Sequence, residues 1–377
     1  MHRRTGPGEN ALEPGAARRA AIWQAAIVVP LALATLLGLV VLWPGESPAG
    51  SVPVTAESVT LETGVITQIG ETDEVGSTEV RMSLTGADME VPVHVPAEIV
   101  ANGLDVGDRI EAMFTPAAIG TGTPYIFWDF ERDVPLWLLI GAYILVVALV
   151  ARGKGLAAVA GLALSLAIVV LFMLPALLAG QNPLLVVLVG AGAMMFASIY
   201  LAHGISIRTT TAILGTAGGL LVTGLLAVIA SDRTNLTGTL SDSALSLTGY
   251  GIQLDQILIC GMILAGLGAL NDVTITQVST VWELRAANPA STAAQLYRQG
   301  MVVGRDHIAS TIYTLAFAYV GTALPLLMSA AVIDRTFLDT LATGEIAEEI
   351  VRTLVASIGL VLAIPLTTGI AARLARA

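Results

Sequence analysis

Long apolar blocks separated by short polar joints dominate this 377-residue chain. A run of about 20 apolar residues is long enough to cross a hydrocarbon layer of about 30 Å as a helix. Eight runs come close to this length, and they cover residues 21–43, 135–151, 155–179, 183–203, 209–230, 256–278, 309–332 and 351–372. The pattern predicts an α-helical polytopic membrane protein with about eight transmembrane helices.

The segment between the first two apolar runs has another pattern. Here short runs alternate apolar and polar positions, with the period of two that half-buried strands show. The predicted strands are Ser58–Ile69, Thr78–Leu84, Met89–Val95, Asp108–Thr115 and Tyr125–Glu131, with a short helix at Ala97–Leu104. Five strands with a helix between the third and the fourth predict a small all-β, OB-like domain.

These patterns divide the chain into four predicted parts. Residues 1–20 form a basic cytoplasmic tail, 21–43 the first transmembrane helix, 44–134 an extracytoplasmic β domain, and 135–377 a bundle of seven transmembrane helices. The first run could instead be a cleaved signal peptide. The length of this run and the lack of an A-x-A cleavage site after it favour a retained membrane anchor.

The positive charges predict the orientation of the chain. Cytoplasmic flanks of transmembrane helices retain Arg and Lys. When the eight runs alternate in direction, twelve of the eighteen basic residues fall on one side; they are Arg3, Arg4, Arg18, Arg19, Arg152, Lys154, Arg208, Arg285, Arg298, Arg305, Arg373 and Arg376. We expect both termini in the cytoplasm and the protein in a bacterial plasma membrane.

Composition narrows the class of protein further. The chain is 55% hydrophobic and 12% charged, with a mean hydropathy of +0.79, which excludes a soluble cytosolic enzyme. Its single cysteine, Cys260, excludes an internal disulfide framework and a cysteine-based zinc cluster. Because no nucleophile–base pair or phosphate-loop motif is present, we predict no enzymatic activity, no cofactor and no metal site.

The predicted outer domain carries most of the negative charge. Residues 44–134 hold sixteen Asp and Glu residues and three arginines, a local net charge of −13. Such a surface disfavours nucleic acid. We expect any macromolecule bound by residues 44–134 to be a partner protein.

Asp272 is the main polar residue at predicted membrane depth. An ionisable side chain in hydrocarbon costs at least about 2.5 kcal/mol, so its presence needs a reason. Asp272 belongs to a stripe of small and polar residues in the sixth run, and the seventh run has a stripe of the same kind. At helical spacing the stripes are Gly261, Ala265, Gly268, Asp272, Thr276 and Ser279, and His307, Thr311, Thr314, Ala318, Gly321 and Pro325. We expect the stripes to face each other, with Thr314 level with Asp272 and with Asp306 and His307 at the mouth.

Two interpretations of these residues remain open. In the functional one, Asp272 carries a proton or binds a cation, with oxygen ligands from Asn271, Thr276, Thr311 and Thr314 and a proton relay through Asp306 or His307. In the structural one, Asp272 is a hydrogen-bond hub that locks two helices together. Asp306 then caps the start of the seventh helix.

Two further helical features follow from spacing. Residues 291–305 have an amphipathic pattern after an N-cap at Ser291 or Thr292, which predicts a helix on the inner membrane surface. Gly215 and Gly219 form a Gly-x-x-x-Gly motif, which we interpret as a helix-packing site, together with Gly261, Gly268 and Gly321.

The segments 268–277 (GALNDVTITQ), 304–315 (GRDHIASTIYTL) and 318–321 (AYVG) resemble the YibE/F family of bacterial multi-pass membrane proteins. This resemblance covers roughly residues 135–375 and implies a membrane topology. The order of an Asp-bearing span, an amphipathic helix and a Thr-rich span is also similar to the proton-driven RND permeases, including SecD/SecF. That likeness implies that Asp272 is a proton-coupling carboxylate, although the chain differs by its seven spans after a small outer domain.

The sequence therefore predicts a transport or translocation protein in the lipid bilayer, coupled to a proton or cation through Asp272. The alternative is a non-transporting assembly factor or sensor whose outer domain binds a partner protein. The stripes of small residues also leave a homo-oligomer open.

Overall fold

The computed structural model describes residues 14–56, 58–74, 76–87, 89–239 and 242–375. The chain forms two compact units, one of Met1–Ala49 and Ala151–Ala377 and the other of Gly50–Val150. Arg3 and Arg4 of the predicted tail and Arg376 near the end lie outside the described residues. The first helix begins at Pro14, within the segment predicted as a tail.

The described elements are mainly helices, and the strands all lie between the first helix and the long helix that begins at Asp133. The helices are α1 (Pro14–Val41), α2 (Ala97–Ala101), α3 (Asp133–Ile168), α4 (Leu174–Leu178), α5 (Pro183–His203), α6 (Ile207–Thr234), α7 (Asp242–Leu247), α8 (Leu254–Ala287), α9 (Ala293–Thr322), α10 (Leu324–Val332), α11 (Phe337–Leu341) and α12 (Gly344–Leu374). The strands are β1 (Thr60–Thr72), β2 (Ser77–Leu84), β3 (Glu90–Pro96), β4 (Arg109–Phe114) and β5 (Tyr125–Phe130).

The strands form a closed barrel in the order β1-β2-β3-β5-β4. β1 pairs with β2 on one side and with β4 on the other, and a register shift between Ile66 and Gln68 marks an irregularity in the long strand. Alternate residues point inward, as the period of two requires, and the core includes Val80, Met82, Val93 and Ile110. The predicted five strands and the helix between the third and the fourth are confirmed.

The described helices include six that are long and apolar enough to cross a membrane, or seven if the bent pair α9 and α10 counts as one span. The sequence predicted eight. The difference arises because the second and third apolar runs belong to one 46-residue helical segment, Asp133–Leu178. Within it, Arg152 has a non-helical backbone (φ 53°, ψ −140°), so the helix changes direction between the two predicted runs.

The amphipathic segment before the seventh run is not a separate surface helix. It is the first half of α9, which continues to Thr322 and is capped by Thr292. Gly300 and Gly304 on this half are buried, because they pack against α8 and α12. The bend of 64° comes later, between α9 and α10, next to Pro325.

Helices α6, α8 and α12 form the centre of the larger unit, where glycines allow close approach. A β-carbon at Gly219 of α6 would lie 2.7 Å from Leu270 Cδ2 and 3.0 Å from Ala363 Cβ. Gly359 of α12 packs in the same way on Thr223 of α6, with the added β-carbon 3.0 Å from Thr223 Cβ. The packing of this unit thus depends on the absence of side chains at these positions.

We expect Gly359→Leu to lower the melting temperature of the purified protein, because the new side chain overlaps Thr223. Overpacking of a dense interior costs about 1–3 kcal/mol. Gly141→Leu in α3 is the matched control, since no heavy atom of the described residues lies within 4 Å of a β-carbon at Gly141. Equal melting temperatures for the two variants would contradict this packing.

In the barrel, Ile110 is 0% exposed and Ile126 is 44% exposed. Ile110→Ala leaves a cavity in the barrel core and should destabilise the barrel by about 2–5 kcal/mol. Hydrogen exchange of the β4 and β5 amides in the full-length protein measures this loss of protection. Ile126→Ala should change the exchange little, and a comparable effect of both substitutions would contradict the assigned register.

Candidate functional site: the polar seam of α8 and α9

The predicted stripe on α8 is the least buried face of this helix. Gly268, Asp272 and Ser279 are exposed, whereas Val273 and Gln277 on other faces are buried against neighbouring helices. The stripe on α9 is also open, from the half-buried His307 to the exposed Thr314. We call the strip formed by Asp272, Thr276, His307, Thr311 and Thr314 the polar seam.

Asp272 and His307 bring the two stripes together. The Asp272 Oδ2 atom lies 3.9 Å from the His307 Nε2 atom, and their side chains are 74% and 25% exposed. This separation is too long for a hydrogen bond but allows an ion pair when the imidazole is protonated. Asp272 lies 18 residues from the start of α8 and 15 from its end, about 27 Å and 22 Å along the axis. The carboxylate is therefore close to the middle of the helix.

Two polar atoms beside Asp272 are buried without a hydrogen-bond partner among the described residues. They are His307 Nε2 and Asn271 Oδ1. The amide nitrogen of Asn271 does have a partner, since Nδ2 donates to Ser198 Oγ of α5 at 2.9 Å. Buried polar atoms without partners are rare, so each of these two atoms retains an unused hydrogen-bonding capacity.

Thr314 and Asp306 do not occupy their predicted places. Thr311 Oγ1 donates to the His307 carbonyl at 2.8 Å, and Thr314 Oγ1 donates to the Ser310 carbonyl at 3.2 Å, so both hydroxyls bond their own helix. Thr314 lies seven residues beyond His307, about 10 Å along α9, and is not level with Asp272. Asp306 is exposed in the middle of α9 and caps no helix, because α9 begins at Ala293.

The packing glycines separate into two groups. Gly215 lies against Thr367 of α12, and Gly219 lies against Leu270 and Ala363. A β-carbon at Gly261 would lie 4.0 Å from Arg352 Nε. By contrast, an added β-carbon at Gly268 or Gly321 would meet no heavy atom of the described residues within 4 Å. These two glycines therefore leave open space along the polar seam.

A buried polar network on the other faces of the helices was not predicted. Gln277 Nε2 donates to the Gly300 carbonyl at 2.7 Å, and the hydroxyls of Thr216 and Thr274 are 2.7 Å apart. Gln24 of α1 donates to Thr211 Oγ1 of α6 at 2.8 Å. The only sequence signal was the presence of glutamine and threonine inside apolar runs; spacing alone did not say which of them face a neighbour.

A polar cavity of about 570 Å³ lies at the end of the unit where α6 ends and α5 and α8 begin. Its lining includes Asn182, Asp232, Asn235 and Asp255 and reaches Ile259. Ile259 is thirteen residues before Asp272 on α8, about 20 Å along the axis. The cavity thus does not extend to the polar seam.

The barrel has its own ionic contacts on β4 and β5. Glu131 raises the pKa of Arg109 through a hydrogen bond of 2.9 Å. A hydrogen bond from Arg132 at 2.7 Å lowers the pKa of Asp129, helped by the Phe130 amide. Because a lowered carboxyl pKa stabilises the folded form above the unfolded pKa, this contribution is lost as the pH falls through the folded pKa.

The aromatic residues of β5 face in two directions, as the alternation predicts. Tyr125 is buried and stacks on Phe114, with burial raising the pKa of its hydroxyl, while Trp128 is exposed. Ile126 and Met89 add exposed apolar side chains to the barrel. The barrel surface therefore combines apolar side chains with net negative charge.

The family model described as YibE/F-like protein matches residues 139–377. No curated protein and no solved structure matches the chain. The resemblance to YibE/F proteins is thus confirmed, whereas the likeness to SecD/SecF and the RND permeases stays a prediction.

Proposed function

The chain belongs to the YibE/F-like family, and on this premise we propose that it is a proton- or cation-coupled transport or translocation protein of the bacterial plasma membrane. The family and the apolar helices support a multi-pass membrane protein. The proposed activity moves an ion or solute and involves no catalysis and no cofactor. No nucleic acid takes part, since the outer barrel is acidic.

We also propose eight spans with both termini in the cytoplasm. The segment Asp133–Leu178 has 46 residues, about 69 Å of helix, which is more than twice the thickness of the hydrocarbon layer. Arg152 and Lys154 stand between its halves, so each half can cross the membrane once. The end where α6 and α9 begin and α12 ends holds Arg208, Arg298 and Arg373, which supports a cytoplasmic location for it.

The pairing of Asp272 with His307 is the observation that carries the coupling proposal. Two titratable side chains 3.9 Å apart stand near the middle of α8 and α9, a helix that could cross a membrane and one half of a bent pair that could do so. Intramembrane carboxylates and histidines serve as proton relays in transport proteins, because the cost of placing them there is high. His307 Nε2 has no hydrogen-bond partner among the described residues, so its hydrogen-bonding capacity is unused.

The exposure of Asp272 indicates what is missing from a single chain. An ion pathway needs a wall on every side, and the described residues leave the carboxylate 74% exposed. We propose that a second copy of the chain supplies this wall. The open space at Gly268 and Gly321 allows the close helix approach that such a contact needs.

The same exposure also favours the second candidate function. A carboxylate on an outer face can hold a partner helix without conducting an ion. In this alternative the protein is an assembly factor or sensor, and the exposed apolar side chains of the barrel, such as Trp128, contact a partner protein.

Flux through reconstituted protein tests the first candidate. In proteoliposomes with an imposed pH gradient or voltage, we expect Asp272→Asn to abolish proton or cation flux, because an amide does not exchange its proton near neutral pH. Asp334→Asn should leave the flux unchanged, since Asp334 is exposed between α10 and α11, outside the polar seam. Folded wild-type protein without flux under any gradient would support the assembly factor or sensor instead.

Cross-linking tests the second copy. In a Cys260→Ala background, Gly268→Cys should give dimers with a short bifunctional thiol reagent in native membranes. Leu221→Cys is the control, because it places a thiol on the exposed side of α6 near the middle of that helix. Equal yields from the two cysteines, or none from Gly268→Cys, would remove the second copy from the proposed pathway.

A further inference from the structure

A cavity of about 590 Å³ lies between the start of α9 and the end of α12. The two helices run antiparallel here, since Gly300 packs on Thr368 and Gly304 on Ile364. Apolar atoms of Pro365, Leu366 and Ile370 line the cavity beside Gly369, and the Tyr297 ring closes one side. The ring stands 3.9 Å from where a β-carbon of Gly369 would lie, so the missing side chain leaves room between the helices.

Two arginines, Arg298 of α9 and Arg373 of α12, line the same cavity. Both are exposed, and neither has an ion-pair or hydrogen-bond partner among the described residues. Four arginines of the described residues form ion pairs, among them Arg208 with Glu283 and Arg352 with Glu349. The cavity therefore carries two positive charges that the chain itself does not neutralise.

The start of α9 and the end of α12 also affect the positive charge of this cavity. The start of α9 has no acidic residue in its first turn, and the exposed peptide N–H groups of a helix start carry partial positive charge. Arg298, in the second turn, adds to that charge. Arg373 is different, because a cation in the last turn of α12 is favourable for its own helix. The start of α9 does not favour the positive charge of Arg298 in this way. An anion bound in the cavity would neutralise that charge.

We propose that this cavity binds an anionic phospholipid, with the headgroup phosphate between Arg298 and Arg373 and an acyl chain along Pro365, Leu366 and Ile370. Guanidinium groups bind phosphate oxygens in a bidentate manner. Basic pockets between helices at the cytoplasmic side of a membrane suit anionic headgroups, and the apolar walls here favour a lipid over a soluble phosphate. The site rests on the membrane arrangement proposed above and does not depend on transport.

Native mass spectrometry of the full-length protein in detergent measures this binding. With added phosphatidylglycerol we expect one lipid retained per chain in preference to phosphatidylcholine. Arg298→Gln and Arg373→Gln should each weaken retention about 10-fold, the loss expected for one charged hydrogen bond. Arg305→Gln is the matched control, because Arg305 is an exposed arginine on α9 that does not line the cavity.

A substitution that changes no charge provides a second test, so the result does not depend on whether the arginine variants fold. Gly369→Leu fills the space beside Tyr297 and should also reduce phosphatidylglycerol retention, with unchanged helical content by circular dichroism. Equal retention of the two lipids, equal loss in Arg305→Gln, or displacement of the lipid by inorganic phosphate at similar concentration would overturn the proposal. Asp272→Asn should retain the lipid as the wild type does, which separates this result from the flux experiment.

Discussion

Polar groups in apolar surroundings need partners, and the helical unit is organised by this requirement. On the buried faces of α8, Thr274 pairs with Thr216 and Gln277 bonds the Gly300 carbonyl, so each links α8 to another helix. A buried donor or acceptor without a partner costs about 1–3 kcal/mol, which makes these few bonds selective for one arrangement of helices. On the open face of the same helix, His307 is the ion-pair partner that the described residues offer Asp272. The contrast between the two faces separates the structural part of α8 from the part available to a ligand or partner.

The helical unit also depends on close packing between its helices. Without a hydrophobic drive between helices, close contact depends on small residues that let backbones approach. Gly219 and Gly359 meet side chains of neighbouring helices at contact distance, so α6, α8 and α12 form a rigid centre. Gly268 and Gly321 have the same chemistry but lie on the open side. The same residue type thus serves internal packing in one place and leaves an unfilled surface in another.

The two proposals on function differ in what covers that open surface. A second copy that closes the polar seam would place the Asp272 carboxylate inside a protein environment, where its protonation can be controlled. A different partner would use the carboxylate as an anchor, and the acidic barrel with its exposed Trp128 would add a second contact surface. The phospholipid site at Arg298 and Arg373 is compatible with either, because it lies at the end of the helices and contains no residue of the polar seam.

The sequence alone determined the elements of this protein. Long apolar runs and the alternation of period two are local patterns, and they predicted the helical character, the five strands and the stripes on α8 and α9. Family membership was also readable from residues 268–277 and 304–315. Whether apolar runs join was not readable, because a polar joint can lie inside a helical segment, as Arg152 does at the kink of Asp133–Ile168 and as Arg305 and Asp306 do in the middle of α9. Only the tertiary structure decided which face of each helix is covered. It buried Gln277 and left Asp272 exposed, since helical periodicity identifies a face but the packing of neighbouring helices determines what that face meets.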